Sequence, residues 1–451
     1  MMRGNVFRGL KPTATIGGRY ATRYTQMDPV MPVSPDAWPL GHSPPATRHN
    51  SPPVSPDAWP LDPTVAMLNH GSFGACPRAV LQRQADLRRQ MEAEPVRFLV
   101  RQVQPLLDES RRALAGLVGA QAENLVFVSN ATAGINAVLR SLRFRPGEEL
   151  LLADHGYNAC NNAVRYVAQR DGATAVVIEI PIPVESPDEV VRAVLARVTG
   201  RTRLAVLDHV TSPTAIVLPI HEIVRQLSRQ GVDCLVDGAH GPGMVPLDLD
   251  RLGAAYYAGN CHKWLCAPKG AGFLYVRPDR KEGIQPPVIS HGYNQPRRGY
   301  NRLQDAFDWQ GTLDPTPWLC VGTAIAFLEG LLPGGLVGLM RRNHELAVAS
   351  RRMLSARLPL RPICPEDMLG SMAALLLPDR APGTDIADPA AAQPLPRLGA
   401  QLLEEFSIEV PVYYWLAPPQ TLLRISAQAY NNFQQYERLA ECLAGLLAPK
   451  R

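Results

Sequence analysis

Two apolar runs of this chain, Leu235-Val-Asp-Gly-Ala-His240 and Tyr256-Tyr-Ala-Gly-Asn-Cys-His-Lys-Trp-Leu265, end in residues that can do chemistry. Read as short strands, they deliver Asp237 and Lys263 to neighbouring strand ends, beside His240 and His262. An amine and a carboxylate so placed can grip the two ends of pyridoxal 5'-phosphate, one condensing with the aldehyde and the other pairing with the protonated ring nitrogen. Only five of the 46 basic residues are lysines: Lys11, Lys263, Lys269, Lys281 and Lys450. Lys11 and Lys450 lie near the ends, Lys281 sits in a charged turn, and Lys269 falls in Ala-Pro-Lys-Gly-Ala-Gly, where proline and glycine serve turn geometry. Lys263, flanked by Cys261, Trp264 and Leu265, is the candidate whose apolar surroundings would lower an amine pKa. Taken locally, an exposed lysine after a strand reads the same way.

The elements that must position these groups follow from periodicity. Strand patterns fall at 125–129, 149–153, 175–180, 204–209, 234–237, 254–259 and 272–276. Helical patterns lie between them at 132–142, 158–170, 187–198 and 219–230, and before them at 78–94 and 105–118. Such alternation implies an α/β fold in which a mostly parallel seven-stranded sheet is covered on both faces and binds ligands beyond its carboxyl strand ends. A helix over 319–332 leads out of this large domain (63–330). A smaller C-terminal α+β domain (331–451) follows, reading helix, strand, helix, strand, helix, with a surface loop over 381–396. Residues 1–62 read as a flexible proline-rich extension, in which Val33-Ser-Pro-Asp-Ala-Trp-Pro-Leu40 recurs as Val54-Ser-Pro-Asp-Ala-Trp-Pro-Leu61. Its first 27 residues, basic and without an acid, suit a transit peptide or an upstream start codon, with Met27, Met31 or Met67 as the effective start.

Composition limits the function classes. With 451 residues, 46% apolar and 19% charged, the chain can build a large core. A net charge of +5 without a clustered basic face gives no case for nucleic acid, and no apolar run reaches the roughly 18 residues of a membrane helix. Eight cysteines without tight paired spacing favour a reduced, cytoplasmic setting. Cys261-His262-x-x-x-Cys266 lacks a second ligand pair, so no metal site is expected.

Other strand ends offer complementary groups. Ser129-Asn-Ala-Thr-Ala-Gly134 opens a helix, where the backbone from Ala131 and the Thr132 hydroxyl could hold a phosphate, although Asn or Thr there is equally a plain cap. In Asp154-His-Gly-Tyr-Asn-Ala159, Tyr157 could lie flat on a pyridine ring or simply decorate a surface turn. In Leu207-Asp-His-Val-Thr-Ser-Pro213, Ser212 could donate to a phenolate oxygen. Gly238-x-x-Gly-x-Gly243 has the wrong spacing and place for a dinucleotide fingerprint.

Together, Asn69-His-Gly-Ser-Phe-Gly, Asn130-Ala-Thr, Asp237-Gly-Ala-His, Asn260-Cys-His-Lys-Trp-Leu, Trp309-Gln-Gly-Thr-x-Asp-Pro and Arg424-Ile-Ser-Ala-Gln-x-Tyr-Asn resemble the class V aminotransferase superfamily of fold-type I pyridoxal-phosphate enzymes, nearest its isopenicillin N epimerase-like branch. The resemblance runs from about Leu68 to Asn432. It implies that Lys263 binds the cofactor covalently, that Asp237 meets the ring nitrogen and that Tyr157 stacks on the ring. Ala131, Thr132, Ser212, His240 and His262 join the cofactor site, and Thr312 reaches the phosphate of a neighbouring subunit in a homodimer. Arg424 would hold a substrate carboxylate, with Asn69 and His70 nearby.

The implied substrate is an amino acid or short peptide, and the implied step is removal of its α-proton by Lys263. Reprotonation on the other face would be epimerisation, loss of a β-sulfur group carbon–sulfur lysis; transamination and a non-catalytic cofactor-binding regulator are further readings. Relatives that work through a persulfide carry a cysteine about 15 residues before the matching arginine. Here that stretch, Ile408-Glu-Val-Pro-Val-Tyr-Tyr-Trp-Leu416, has none.

Overall fold

The structure, a computed structural model, describes residues 56–297, 301–378, 396–415 and 420–448. Most of the proline-rich segment and nearly all of the 381–396 loop lie outside the described residues. Seven strands build the large sheet: β1 Leu125–Val128, β2 Glu149–Ala153, β3 Thr174–Ile178, β4 Thr202–Asp208, β5 Asp233–Gly238, β6 Tyr256–Asn260 and β7 Gly272–Val276. Their order is β1-β7-β6-β5-β4-β2-β3, and only β7 runs against its neighbours.

The strands are apolar throughout because both faces are covered. Leu151, Ala205, Val236 and Phe273 point into one hydrophobic cluster, and Leu150, Leu152, Val206, Leu235 and Leu274 into another. Period-two alternation therefore sorts two kinds of burial rather than inside from outside. The helices Ala131–Ser141 and Asn158–Asp171 lie on the second face, in contact with β6, β7, β2 and β3. Asn130 caps the first by accepting the Ala133 amide at 2.8 Å, and Gly172 ends the second in the left-handed region.

The expected helix over 319–332 is instead two pieces, Thr316–Leu319 and Val321–Glu329. Trp318 pins the first piece, its indole donating to the Val128 and Gly270 carbonyls and its own carbonyl accepting from Ser110. The C-terminal part also holds more strands than the sequence suggested. Arg361–Pro362, Met372–Leu376, Val412–Trp415 and Gln420–Ser426 form a four-stranded antiparallel sheet packed by the helices Gly335–Arg357 and Phe433–Leu447. Arg361–Pro362 and Val412–Trp415, of two and four residues, leave little periodicity to read.

The segment before the large sheet ties these parts together. Ala66–Met67 pairs in parallel with Ile408–Glu409, and the Ser426 amide donates to the Leu68 carbonyl. Residues 56–62, read from sequence as part of the flexible extension, pack on the body. Pro56–Ala58 makes a 3-10 turn, and Trp59 is buried edge-on against Phe327 and Tyr430. One large aromatic supplies the burial that the surrounding prolines cannot. Among the described residues no helix is long and apolar enough to cross a membrane.

Candidate active site

The carboxyl ends of β4, β5 and β6 open into a cavity of ≈ 320 Å³, a size suited to a small ligand. Register fixes its floor: Asp208 pairs with Asp237 across β4 and β5, and Asp237 with Ala258 across β5 and β6. Both acids therefore leave the same face side by side. Ala131, Thr132, Tyr157, Ser212, Asp237, His240, His262 and Lys263, eight of the residues picked out by sequence, line this one cavity.

Asp237 is buried, accepting the Ala239 amide at 3.0 Å and the Cys160 thiol at 3.0 Å. Burial raises its pKa, while Cys160, the Ala239 amide and Lys263 pull it back. Asp208 is pushed well above the ordinary carboxylate range, by burial and then by the Asp237 charge. Two buried carboxyls side by side do not both ionise readily, and Asp237, with more donors, is the better placed to carry the charge.

Lys263 brings its Nζ to 3.1 Å from His240 Nε2. Burial first, then Arg424, lowers the amine from 10.5 to about 8, against the attraction of Asp237 and Asp208. The backbone beneath it is clamped. Gly74, at φ 69°, lies so close that a Cβ would stand 2.2 Å from the His262 carbonyl and 2.9 Å from the Lys263 Cα, so only glycine fits.

The helix start at Ala131 offers the cavity fewer free amides than the bare sequence suggests. Asn260 takes the Ala131 amide at 2.8 Å and the Asn130 cap takes that of Ala133. Of the first three amides, that of Thr132 is the one these side chains leave to the cavity, with the helix dipole behind it. His262 points one ring nitrogen at the Ala271 carbonyl, 2.8 Å away, and burial lowers its pKa to about 4, so the ring is neutral. Tyr157, 45% exposed, and Phe73, 75% exposed, flank the mouth.

Arg424 is fully buried on the small sheet, next to this mouth. Its Nη1 donates to the Ser212 carbonyl at 2.7 Å, and its Nη2 to Asn69 Oδ1 at 3.1 Å and Ser72 Oγ at 3.0 Å. Its Nε–H has no partner among the described residues, and the Tyr413 ring lies 5.3 Å from the guanidinium. A buried cation whose partners Ser72 and Ser212 line the cavity is suited to an anion there.

Three expected residues stand elsewhere. Asn69 orients Arg424 and is itself held to Glu409, 2.8 Å away. His70 is buried behind the lysine, its Nε2 3.1 Å from the Lys263 carbonyl and its Nδ1 2.9 Å from the Tyr430 hydroxyl. Thr312 is exposed and does not line the cavity of its own chain. Asp208, Ser72, Phe73 and Asn260 line it without having been singled out, and Cys160 supports it from behind; only the strand-end rule could have flagged Asp208.

The residues fit pyridoxal 5'-phosphate by their donor set: a depressed amine for an aldehyde, a buried carboxylate lacking a full cationic partner, and a helix start with a free amide. The family model described as aminotransferase class-V matches residues 74–361. An isopenicillin N epimerase of Amycolatopsis lactamdurans is 40% identical over 396 residues, 85% of this chain and 95% of that protein. An L-cysteine desulfhydrase of Arabidopsis thaliana is 29% identical over 413 residues, covering 85% and 88%. Among solved structures, the cystine C-S lyase C-DES in complex with cysteine persulfide superposes with a TM-score of 0.71 at 22% identity, over 86% of this chain and 99% of that one.

Proposed function

The chain belongs to the aminotransferase class-V family, and from that premise we propose that it removes the α-proton of an amino acid or short cysteine-containing peptide, as an isopenicillin N epimerase-like enzyme. Its cofactor is pyridoxal 5'-phosphate, which when bound supplies an electron sink for the carbanion so formed. Lys263 is the residue that would hold the cofactor through its aldehyde, and its amine is the base at the α-carbon. Asp237 would hold the ring-nitrogen proton, Tyr157 would cover the ring, and Thr132 and His262 would take the phosphate. Arg424, aimed by Asn69, Ser72 and the Ser212 carbonyl, takes the substrate carboxylate and so fixes which hydrogen faces the amine.

The observation that carries this reading is the convergence of Lys263 and Asp237 on one cavity whose edge holds Arg424. Borohydride treatment of the loaded protein followed by peptide mapping should place the cofactor on Lys263. A label on Lys269 or any other lysine refutes the assignment. α-Hydrogen exchange in D2O with inversion then marks epimerisation.

Carbon–sulfur lysis is the second reading, supported by the likeness to the desulfhydrase. Release of sulfide and pyruvate from cysteine, without inversion, would favour it. A persulfide on the protein is disfavoured, because no cysteine lines the cavity and Cys364 is buried with its thiol pushed up to about 11. The exposed Thr312 is assigned to the phosphate of a second copy, making the working form a homodimer. All eight cysteines are free, which accords with a reducing compartment such as the cytoplasm.

A further inference from the structure

We propose that Trp264 and His240 form a relay that favours the neutral amine of Lys263 over its ammonium, which makes Trp264, outside the cavity lining, a positioning residue for the reacting nitrogen. The inference rests on the assignment of Lys263 above, and it concerns how the chain prepares that amine before any cofactor arrives.

Donor and acceptor roles leave one arrangement. The Trp264 Nε1–H lies 3.1 Å from His240 Nδ1, and an indole nitrogen can only donate. His240 Nδ1 must therefore be the bare, accepting nitrogen, and a neutral His240 carries its proton on Nε2. That Nε2–H points at Lys263 Nζ, 3.1 Å away. An ammonium has only donors and would meet another donor there, whereas a neutral amine offers its lone pair. A second proton on His240 would set an Nδ1–H against the indole N–H, so the ring is barred from becoming imidazolium while Trp264 stays in place.

Trp264 does stay in place. It is fully buried, its ring lies 4.8 Å from that of His70, and its carbonyl packs where a Cβ on Gly243, at φ 84°, would come within 2.6 Å. His240 is likewise buried, and burial with the nearby Lys263 and Arg424 lowers its pKa well below the ordinary imidazole range. The other charged and titratable groups around the amine come from four directions: Asp208 from β4, Asp237 from β5, Cys160 from the helix Asn158–Asp171 and Arg424 from the small sheet. His262 precedes Lys263 in the chain, and His70 bonds its carbonyl. Asp208 and Asp237 favour the ammonium; Arg424, burial and the relay favour the amine.

Trp264→Phe keeps the ring and removes the donor. His240 is then free to place its proton on Nδ1 and accept from an ammonium. One ordinary hydrogen bond separating the two states corresponds to an upward move of the Lys263 midpoint by roughly 0.5–1 pH unit. The full-length chain, freed of cofactor, is acetylated with trace anhydride from pH 6 to 11 and each lysine is followed by mass spectrometry. The expected result is a wild-type Lys263 midpoint at or below about 8, a raised one in Trp264→Phe, and no change at Lys11, Lys281 or Lys450. Equal Lys263 midpoints in the two proteins overturn the proposal.

A second measurement uses the wild-type chain and does not depend on that variant folding. In [15N]histidine spectra the His240 ring, identified as the signal lost in His240→Gln, should be protonated on Nε2 and bare on Nδ1 from pH 6 to 9. A proton on Nδ1 in that range overturns the relay. Neither measurement involves cofactor, so either can fail while borohydride mapping still places the cofactor on Lys263, and the converse holds as well.

Discussion

Replacing Lys263 by methionine should make the cofactor-free chain more stable at neutral pH while abolishing covalent cofactor attachment. The folded amine titrates near about 8, its ordinary value being 10.5. Below pH 8 both folded and unfolded chains hold the proton, and the folded chain bears the full cost of a desolvated ammonium. Between 8 and 10.5 the unfolded chain retains a proton that the folded chain has lost, so stability rises with pH across that window; above it both are neutral and the cost is gone. A gap of about 2.5 pH units corresponds to ~3.4 kcal/mol at 1.36 kcal/mol per unit. Water in the open cavity screens part of this, leaving roughly 1–3 kcal/mol. Methionine matches the length of the lysine stem without the charge. Urea unfolding of both proteins at equal concentration and at pH 7, 8, 9 and 10 isolates the effect, because every other titration is common to the pair. The reasoning fails if the methionine variant is the less stable at pH 7, or if the difference between the proteins stays constant up to pH 10.

The two neighbouring acids should respond oppositely to isosteric change. Asp208→Asn replaces a carboxyl that burial and the Asp237 charge push toward its neutral form and should alter the pyridoxal-phosphate dissociation constant by no more than about threefold, whereas Asp237→Asn should weaken it more than about tenfold, since a charged hydrogen bond is worth ~1.5–3 kcal/mol; fluorescence titration reads both. Arg424→Gln should raise KM for an amino-acid substrate about 30-fold or more, at the scale of ~2–5 kcal/mol for one partner of a buried charge pair, with circular dichroism showing the fold retained. Trp59→Ala should cost ~3–5 kcal/mol, the usual loss for truncating a buried aromatic, and so lower the urea midpoint; no change would mean that the ordered body begins after residue 59.

Much of the large sheet was legible because its strands are short apolar runs and helical patterns separate the first five, so length and periodicity agree on type there. Lys263 and Asp237 were legible for a different reason: lysine is scarce here, and strand ends are where such sheets place their chemistry. Asp208 and Cys160 were not, because what makes them matter is lateral. The register of β4 on β5 sets Asp208 beside Asp237, and the helix Asn158–Asp171 swings Cys160 onto the same carboxylate, neither of which a linear reading contains. His70 was drawn toward the substrate by its motif, yet tertiary packing turned it to the Lys263 carbonyl. Trp264 read as an apolar neighbour, since hydrophobicity conceals the one polar atom that bonds His240.

The parallel pairing of Ala66–Met67 with Ile408–Glu409 bears on how the protein is made. Asn69 meets Glu409 across 340 positions and Arg424 across 355, so the Arg424 guanidinium acquires its support only after nearly the whole polypeptide has left the ribosome. Until then a strand edge near the start waits unpaired through most of translation, exposed to wrong partners. Synthesis that stalls before residue 408 would yield the seven-stranded sheet and Lys263 without Arg424 or the strand that pairs with Ala66–Met67.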